Sequence, residues 1–298
     1  TASTGFTVLR PSPDVDGRYL FHWVRSEDFI SDMVRHATGA SYPAVSDRIV
    51  KDSLIPAPPV AEQRRIAAIL DRADAIRNKR RQTLAHLNSL IDSIFDDMFG
   101  GLTMDTINAG TLMPNMRNGL SPATGGSYSA TVLTLSAVTQ GGFDPAATKA
   151  GQFAIKPPVD KRVSRRDFMM CRGNGNRSLV GVGTYSHDDR PDLVFPDTVI
   201  AGRVDTSLVD MAFLEVAWRQ PTVRSQIDAV ARTTNGTFKV NQQTLSEIWV
   251  SVPSIDLQHV FTDRVARIQS WRHAVHRALK LDKALSASLQ SRAFRGEL

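Results

Sequence analysis

Arg172-Gly173-Asn174-Gly175-Asn176-Arg177 places two guanidinium groups and two carboxamides in one glycine-punctuated loop. Glycine allows close backbone approach, while Arg and Asn offer donors to phosphates and base edges. The Gly173-x-Gly175 pair is not a dinucleotide fingerprint. No third glycine stands at the required spacing, and the residues after the loop read as strand. A plain turn is the competing reading. Lys161-Arg162-Val163-Ser164-Arg165-Arg166 is a dense basic cluster, either phosphate ligands or a solvated surface. Arg117-Asn118-Gly119 brings the same two side-chain types to a turn. Beside Asn235-Gly236, the residues Arg232, Thr234 and Lys239 could touch a nucleic-acid backbone. The candidate DNA-binding set is therefore Arg117, Asn118, Lys161, Arg162, Arg165, Arg166, Arg172, Asn174, Asn176, Arg177, Arg232, Thr234 and Lys239.

Signatures of catalysis are missing. There is no Gly-x-x-x-x-Gly-Lys-Ser/Thr phosphate loop and no His-Glu-x-x-His. No Asn/Asp-Pro-Pro-aromatic segment of an amino-methyltransferase occurs. The seven histidines are scattered without metal-ligand spacing, and Asp188-Asp189 reads as a polar surface turn. No catalytic and no metal site is assigned. These absences lower the enzyme class without excluding an unfamiliar enzyme.

Composition bounds the rest. The 298 residues favour two domains, and 42% hydrophobic content is ordinary for a chain with real cores. A net charge of +6 and a pI near 9.7 lean toward a polyanionic partner. The single cysteine, Cys171, excludes an internal disulfide and any multi-cysteine zinc site, and reads as a small buried side chain. No apolar run reaches the length of a membrane span, and no signal peptide is present, so a soluble cytoplasmic protein is expected.

Two long helices organise the chain. After Ile55-Pro56-Ala57-Pro58-Pro59, a stiff extended entry, no Gly or Pro occurs from Ala61 to Met98. Ile66, Ile69, Ala73, Ile76, Leu87, Leu90 and Ile94 recur at steps of three and four, with Phe95 at the end, giving a helix of about 55 Å with a coiled-coil-like seam. Arg77-Asn78-Lys79-Arg80-Arg81 cannot share one face. A solvated face is the default reading there, and partner or DNA-backbone contact the sharper one. Val252-Pro253-Ser254 opens a second such run to Arg295, with Phe261, Val265, Ile268, Val275, Leu279, Leu285, Leu289 and Phe294 in its seam. Arg35-His36-Ala37-Thr38-Gly39 is echoed by Ala231 to Gly236, and Tyr19 to Trp23 by Ala212 to Val216, at offsets of about 193 to 197. The chain holds two copies of one module, each ending in a long helix.

Four segments result: 1–57, the C-terminal part of a first module; 58–100, the central helix; 101–252, a complete second module; and 253–298, the last helix. In the first, Thr7 to Pro11 reads as a strand and Tyr19 to His36 as one amphipathic helix. It is too short for a core of its own, so an upstream half or another chain is expected to complete it. In the second, Thr131 to Val138, Phe168 to Cys171 and Leu179 to Gly183 read as strands. Leu208 to Val230 reads as two helices broken at Pro221, and Leu245 to Val252 as the end of a helix or a loop followed by a strand. Without regular βαβ alternation the fold class is α+β.

Pro58-Pro59-Val60-Ala61-Glu62-Gln63-Arg64-Arg65-Ile66, followed by Ser93-Ile94-Phe95-Asp96-Asp97-Met98-Phe99-Gly100, resembles the central region of the DNA-specificity subunits of type I restriction–modification systems. Ser288 to Leu298 resembles that family's ending. The resemblance covers essentially the whole chain and implies two target-recognition domains, the first incomplete here, alternating with two antiparallel spacer helices. It implies double-stranded DNA as ligand, read as a bipartite target, with two methyltransferase subunits and a restriction subunit as partners. A short chain or second copy completing the first domain is a further partner it admits. This chain would bind no cofactor, with S-adenosylmethionine and N6-adenine methylation in the partner methyltransferase. A protein that docks the methyltransferase without reading DNA, and an autonomous DNA enzyme, stay open as alternatives.

Overall fold

The structure is a computed structural model and describes residues 6–39, 43–123, 125–234 and 236–298, the side chain of Thr234 excepted. The chain divides into two compact units, one of residues 1–88 with 271–298 and one of residues 89–270. Each takes one module, the start of that module's own long helix and the far end of the other long helix.

In the first unit, α1 (Gly17–Trp23), α2 (Glu27–His36) and α3 (Asp47–Asp52) lead into α4 (Val60–Phe99). The single helix expected over Tyr19 to His36 is two. Ser26 breaks it, its side chain accepting from the Phe29 amide as an N-cap, with Glu27 and Asp28 in the new first turn. Thr7 to Pro11 is not a strand but largely exposed chain without a strand partner among the described residues. The core gathers Tyr19, Ile66, Ala67, Leu70, Ala293 and Phe294, all buried, with Trp23, Ile55 and Leu289 against them. Tyr19 and Trp23 meet the Phe294 ring edge-on at 5.2 and 5.0 Å. Further along α4, Arg80 pairs with Asp282 and reaches the Ala278 carbonyl. Rising numbers on one helix meet falling numbers on the other, so the helices run antiparallel here.

The second unit opens with β1 (Asp105–Asn108), α5 (Ala109–Leu112), β2 (Asn115–Asn118), β3 (Tyr128–Leu133), α6 (Ser136–Thr139), β4 (Thr148–Phe153), β5 (Arg162–Val163) and β6 (Asp167–Cys171). It continues with β7 (Gly173–Asn174), β8 (Gly183–Tyr185), β9 (Arg190–Val194), β10 (Val199–Arg203), α7 (Met211–Trp218) and α8 (Pro221–Val230). Then come β11 (Arg232–Thr234), β12 (Thr237–Lys239), α9 (Gln242–Ser246), β13 (Trp249–Val252) and α10 (Ile255–Phe294). Among the described residues these strands form four small sheets, in the orders β1-β13, β2-β10-β6-β8, β11-β12-β7 and β4-β3-β9-β5. Of the described strands only β3 and β9 pair in parallel, which places the unit in the α+β class. Pro221 stands at the first position of α8, where its missing N–H costs nothing. The strand expected over Thr131 to Val138 ends at Leu133 and turns into α6. That over Leu179 to Gly183 is a short 3-10 turn at Arg177–Leu179, with β8 beginning only at Gly183. Phe95, Phe99, Phe213 and Phe261 interlock with ring centroids 5.0 to 5.9 Å apart.

The seam differs from the expected stripe. Ile66, Ala67 and Leu70 at one end of α4, and Ile91, Phe95 and Phe99 at the other, are buried. Ile69, Ala73, Leu87 and Ile94 are only partly buried, while Ile76 and Leu90 lie outside, 52% and 47% exposed. On α10, Phe261, Val265, Ile268 and Phe294 are buried, Val275, Leu279 and Leu289 partly so, and Leu285 is exposed. In the first unit the Arg80–Asp282 pair occupies the middle of the seam. Arg77, expected on a solvated face, is largely covered and pairs with Asp74 at 2.6 Å.

Candidate nucleic-acid interface

The sheet of β11, β12 and β7 collects most of the second-module candidates. Arg232 pairs in register with Lys239, and Lys239 with Gly173, so Arg232 and Lys239 share one face. Gly173 has a purpose there: a Cβ would stand 3.1 Å from Lys239 Cγ, so glycine lets that side chain lie across β7. The turn between β11 and β12 uses Gly236 at φ +73°, a left-handed conformation that glycine adopts without strain. Gly39, its counterpart in the first module, is also left-handed, at φ +111°. The other residues of the repeated turns, Ala40, Ser41 and Asn235, lie outside the described residues. Thr234 pairs with Thr237 through its backbone, and its side chain lies outside them too.

Arg172, Arg232 and Lys239 line one open cleft of about 490 Å³, together with Asn241, Gln243 and Glu247. Arg172 is anchored from behind by a bond to the Asp197 carbonyl at 3.3 Å. Three cations around one opening make a local positive field able to hold phosphate oxygens. Arg177 lies over the Phe238 ring, 5.8 Å from its centroid, and donates to the Asp228 carbonyl at 2.7 Å. Asp228 accepts from Arg224, and that bond holds its carboxyl below the usual carboxylate range. The glycine loop is thus pinned onto α8.

The two asparagines are partly committed. Asn174 Oδ1 accepts from the Asn176 amide at 2.8 Å, and Asn176 Oδ1 from the Ser178 amide and hydroxyl. Bidentate reading of adenine needs both ends of a carboxamide, so either residue would first have to release its turn.

Elsewhere the structure corrects the candidate set. Arg117 turns inward. It bonds buried Asp167 at 2.5 Å, donates to the Asp160 carbonyl at 2.6 Å and lies over the Phe195 ring. Arg203 meets the same carboxylate at 2.6 Å. Asp167 is 1% exposed, so the two cations compensate a buried charge and Arg117 belongs to the fold. Asn118, next in β2 and so on the opposite face, has its Oδ1 buried without a hydrogen-bond partner. Lys161 Nζ donates to the Asn118 carbonyl at 2.9 Å, and Arg162 to the Pro191 and Pro157 carbonyls, so both tie loops together. Arg165, loosely paired with Asp189 at 3.8 Å, and Arg166 are the exposed members of that cluster. It sits at β5, in a different sheet from Arg232 and Lys239. Charge density in the sequence does not translate into exposure here. Asn241 and Gln243 are cleft residues that sequence reasoning misses, since their only signal is their position after β12.

Cys171 is buried in β6, and burial pushes its thiol up to about 11. Among the described residues no group of His, Cys, Asp or Glu could hold a metal ion, and no helix is long and apolar enough to cross a membrane.

Comparison with known proteins agrees with the motifs. Residues 1–88 match the family profile described as the type I restriction modification DNA specificity domain. Over 98% of its length the chain is 22% identical to the type I restriction enzyme EcoKI specificity subunit of Escherichia coli (strain K12), covering 68% of that protein. It is 21% identical, again over 98% of its length, to the StySPI specificity subunit of Salmonella potsdam, covering 67%. Among solved structures, the HsdS subunit from Thermoanaerobacter tengcongensis aligns at 20% identity over 94% of this chain and 70% of its own, with a TM-score of 0.43. The type I S subunit from M. genitalium aligns at 16% over 94% and 73%, with a TM-score of 0.46. The profile at residues 1–88 and the relatives along nearly the whole chain thus show the resemblance that the repeat ends carry, to the DNA-specificity subunits of type I restriction–modification systems.

Proposed function

We propose that this chain is a non-catalytic DNA-recognition subunit of a type I restriction–modification complex. The observation that carries the reading, beside the resemblance, is the gathering of Arg172, Arg232 and Lys239 around one open cleft. Lys239 and Arg232 hold phosphates and fix register. Arg172, at the mouth of the glycine loop, is the base-reading candidate, with guanine its usual partner. The second unit reads one half-site of a bipartite, asymmetric target, and the antiparallel helices set the spacing of the half-sites and dock two methyltransferase subunits. Methyl transfer to adenine N6 requires the base to leave the duplex. We assign that chemistry, and S-adenosylmethionine, to the partner subunits, and DNA cleavage to a restriction subunit.

The test is binding by the chain reconstituted with its methyltransferase partner, titrated over a range of salt. The expected result is a sequence preference that Arg172→Ala weakens by about 1–3 kcal/mol at one half-site, as for a lost direct base contact. A complex that assembles without any sequence preference would instead support a docking protein.

A further inference from the structure

The cleft of Arg172, Arg232 and Lys239 also holds a carboxylate, that of exposed Glu247. Among the described residues Glu247 forms no ion pair, although three cations line the same opening. Its side chain accepts one long, neutral hydrogen bond, from Gln243 Nε2 one turn back, at 3.4 Å. Arg232 and Lys239 likewise form no ion pair among the described residues. Charges of both signs therefore stand uncompensated around one opening.

Local structure does not favour the negative charge. Glu247 is the C-cap of α9, and a carboxylate at the C-terminal end of a helix opposes the helix dipole. The other end of α9 is built by Asn241. Its Oδ1 accepts from the Thr244 amide at 2.8 Å, and the Thr244 hydroxyl accepts from the Asn241 amide at 3.1 Å. This capping box commits both residues to the helix, which leaves Gln243 and Glu247 to face a ligand in the cleft.

The repeat supplies a contrast. Asn241, the N-cap of α9, matches Ser46, the N-cap of α3, so Gln243 and Glu247 match Arg48 and Asp52. In the first module Arg48 pairs with Asp52 at 3.5 Å and compensates its charge. In the second, Gln243 stands in place of the arginine, so Glu247 keeps a hydrogen-bond donor on the same side but also keeps its charge.

A carboxylate repels phosphate and only accepts hydrogen bonds, so this part of the cleft suits a donor and not the DNA backbone. On the major-groove edge the donors are the amino groups of cytosine N4 and adenine N6. Adenine N6 lies beside the N7 acceptor, whose lone pair a carboxylate cannot satisfy, whereas cytosine presents N4 without such a neighbour. Guanine, in the same base pair, presents the O6 and N7 acceptors that suit Arg172. We propose that Glu247 is a specificity-determining residue whose carboxylate, oriented by Gln243, accepts from the N4 amino group of a cytosine in the half-site. Arg172 and Glu247 together then make the cleft a reader of G·C pairs, while Arg232 and Lys239 hold flanking phosphates. This assignment rests on the DNA-reading role proposed above.

The test selects duplexes from a randomised pool with the full chain reconstituted with its methyltransferase partner, as wild type, Glu247→Ala and Glu247→Gln. The wild type is expected to require cytosine at one position where Glu247→Ala loses about tenfold in discrimination. Affinity of Glu247→Ala for unrelated duplex DNA should rise, since a charge that repels phosphate is gone. Glu247→Gln keeps the size and the acceptor and adds a donor, so it is expected to move the preference at that position from cytosine to adenine. A merely structural role would not produce that switch. Replacing the cytosine by a pyrimidinone base that lacks the N4 amino group should weaken the wild type and leave Glu247→Ala unaffected. A selected motif identical in the wild type and both variants would overturn the assignment and leave the DNA-reading role standing. So would a loss of affinity in both variants that is uniform over all positions. A wild type without any preference would overturn both.

Discussion

The two modules share an anchor and differ in what stands on it. Gln63 is buried at the start of α4, donates to the Asp14 and Pro58 carbonyls at 3.0 and 2.7 Å, and accepts from the Asp16 amide. Gln258 does the same at the start of α10, with the Leu208 and Pro253 carbonyls and the Asp210 amide. Asp16 caps α1 and Asp210 caps α7. Ile66, Tyr19 and Phe294 in one unit stand where Phe261, Phe213 and Phe99 stand in the other. One glutamine therefore closes the same knot twice, locking a capped helix onto a long one. Among the described residues, four sheets stand on the second knot and one isolated bridge, Thr38 with Ala44, on the first. The lesson is that the helix junction is specified by local hydrogen bonds, which recur in both units at the same positions relative to the long helix.

The largest way to break the comparison lies where the modules differ. Asp167→Ala should destabilise the second unit by about 3 kcal/mol or more, because it leaves largely buried Arg117, and partly exposed Arg203, without their counter-charge. Chemical denaturation should show that loss without a matching loss in the first unit. Next, Gln63→Ala and Gln258→Ala should cost about 1–3 kcal/mol each, and the two values should agree, since each leaves buried carbonyls and an amide unpaired. Clearly unequal losses would mean the knots are not equivalent. Arg232→Ala and Lys239→Ala should each flatten the salt dependence of DNA binding by about one phosphate contact, leaving sequence preference intact. Arg165→Ala tests whether the exposed end of the β5 cluster adds another. The smallest effect concerns Cys171. Burial pushes its folded thiol up to about 11, above the unfolded value of about 8.5. Its contribution to stability is thus full below about pH 8.5 and is lost as pH rises toward 11. Cys171→Ala should remove that alkaline slope in equilibrium unfolding curves.

Long-period features are legible in the sequence. The helices Val60–Phe99 and Ile255–Phe294, the break at Pro221 and the repeat itself follow from Gly/Pro punctuation and spacing. Local competition is less legible. Ser26 and its acidic followers look unremarkable beside the apolar pattern, yet one cap splits the helix. The polar middle of the first unit's seam is hidden in the sequence because periodicity cannot tell that Arg80 has a partner, Asp282, on the other long helix. The same blindness puts Arg117 and Lys161 among DNA ligands. Charge type is visible in a sequence, but the carboxylate or carbonyl that engages it is brought near only by the sheet register. Arg172, Arg232 and Lys239 are legible as candidates, and only the pairing of β12 with β7 brings them to one cleft.

The most direct test of the account is a map of N6-methyladenine in cells carrying the cognate methyltransferase with this chain, without it, and with Arg172→Ala plus Arg232→Ala. The account predicts a bipartite motif that requires this chain and is lost or relaxed at one half-site in the double variant. An unchanged map when the chain is removed would contradict it, as would a double variant that methylates the same motif to the same extent.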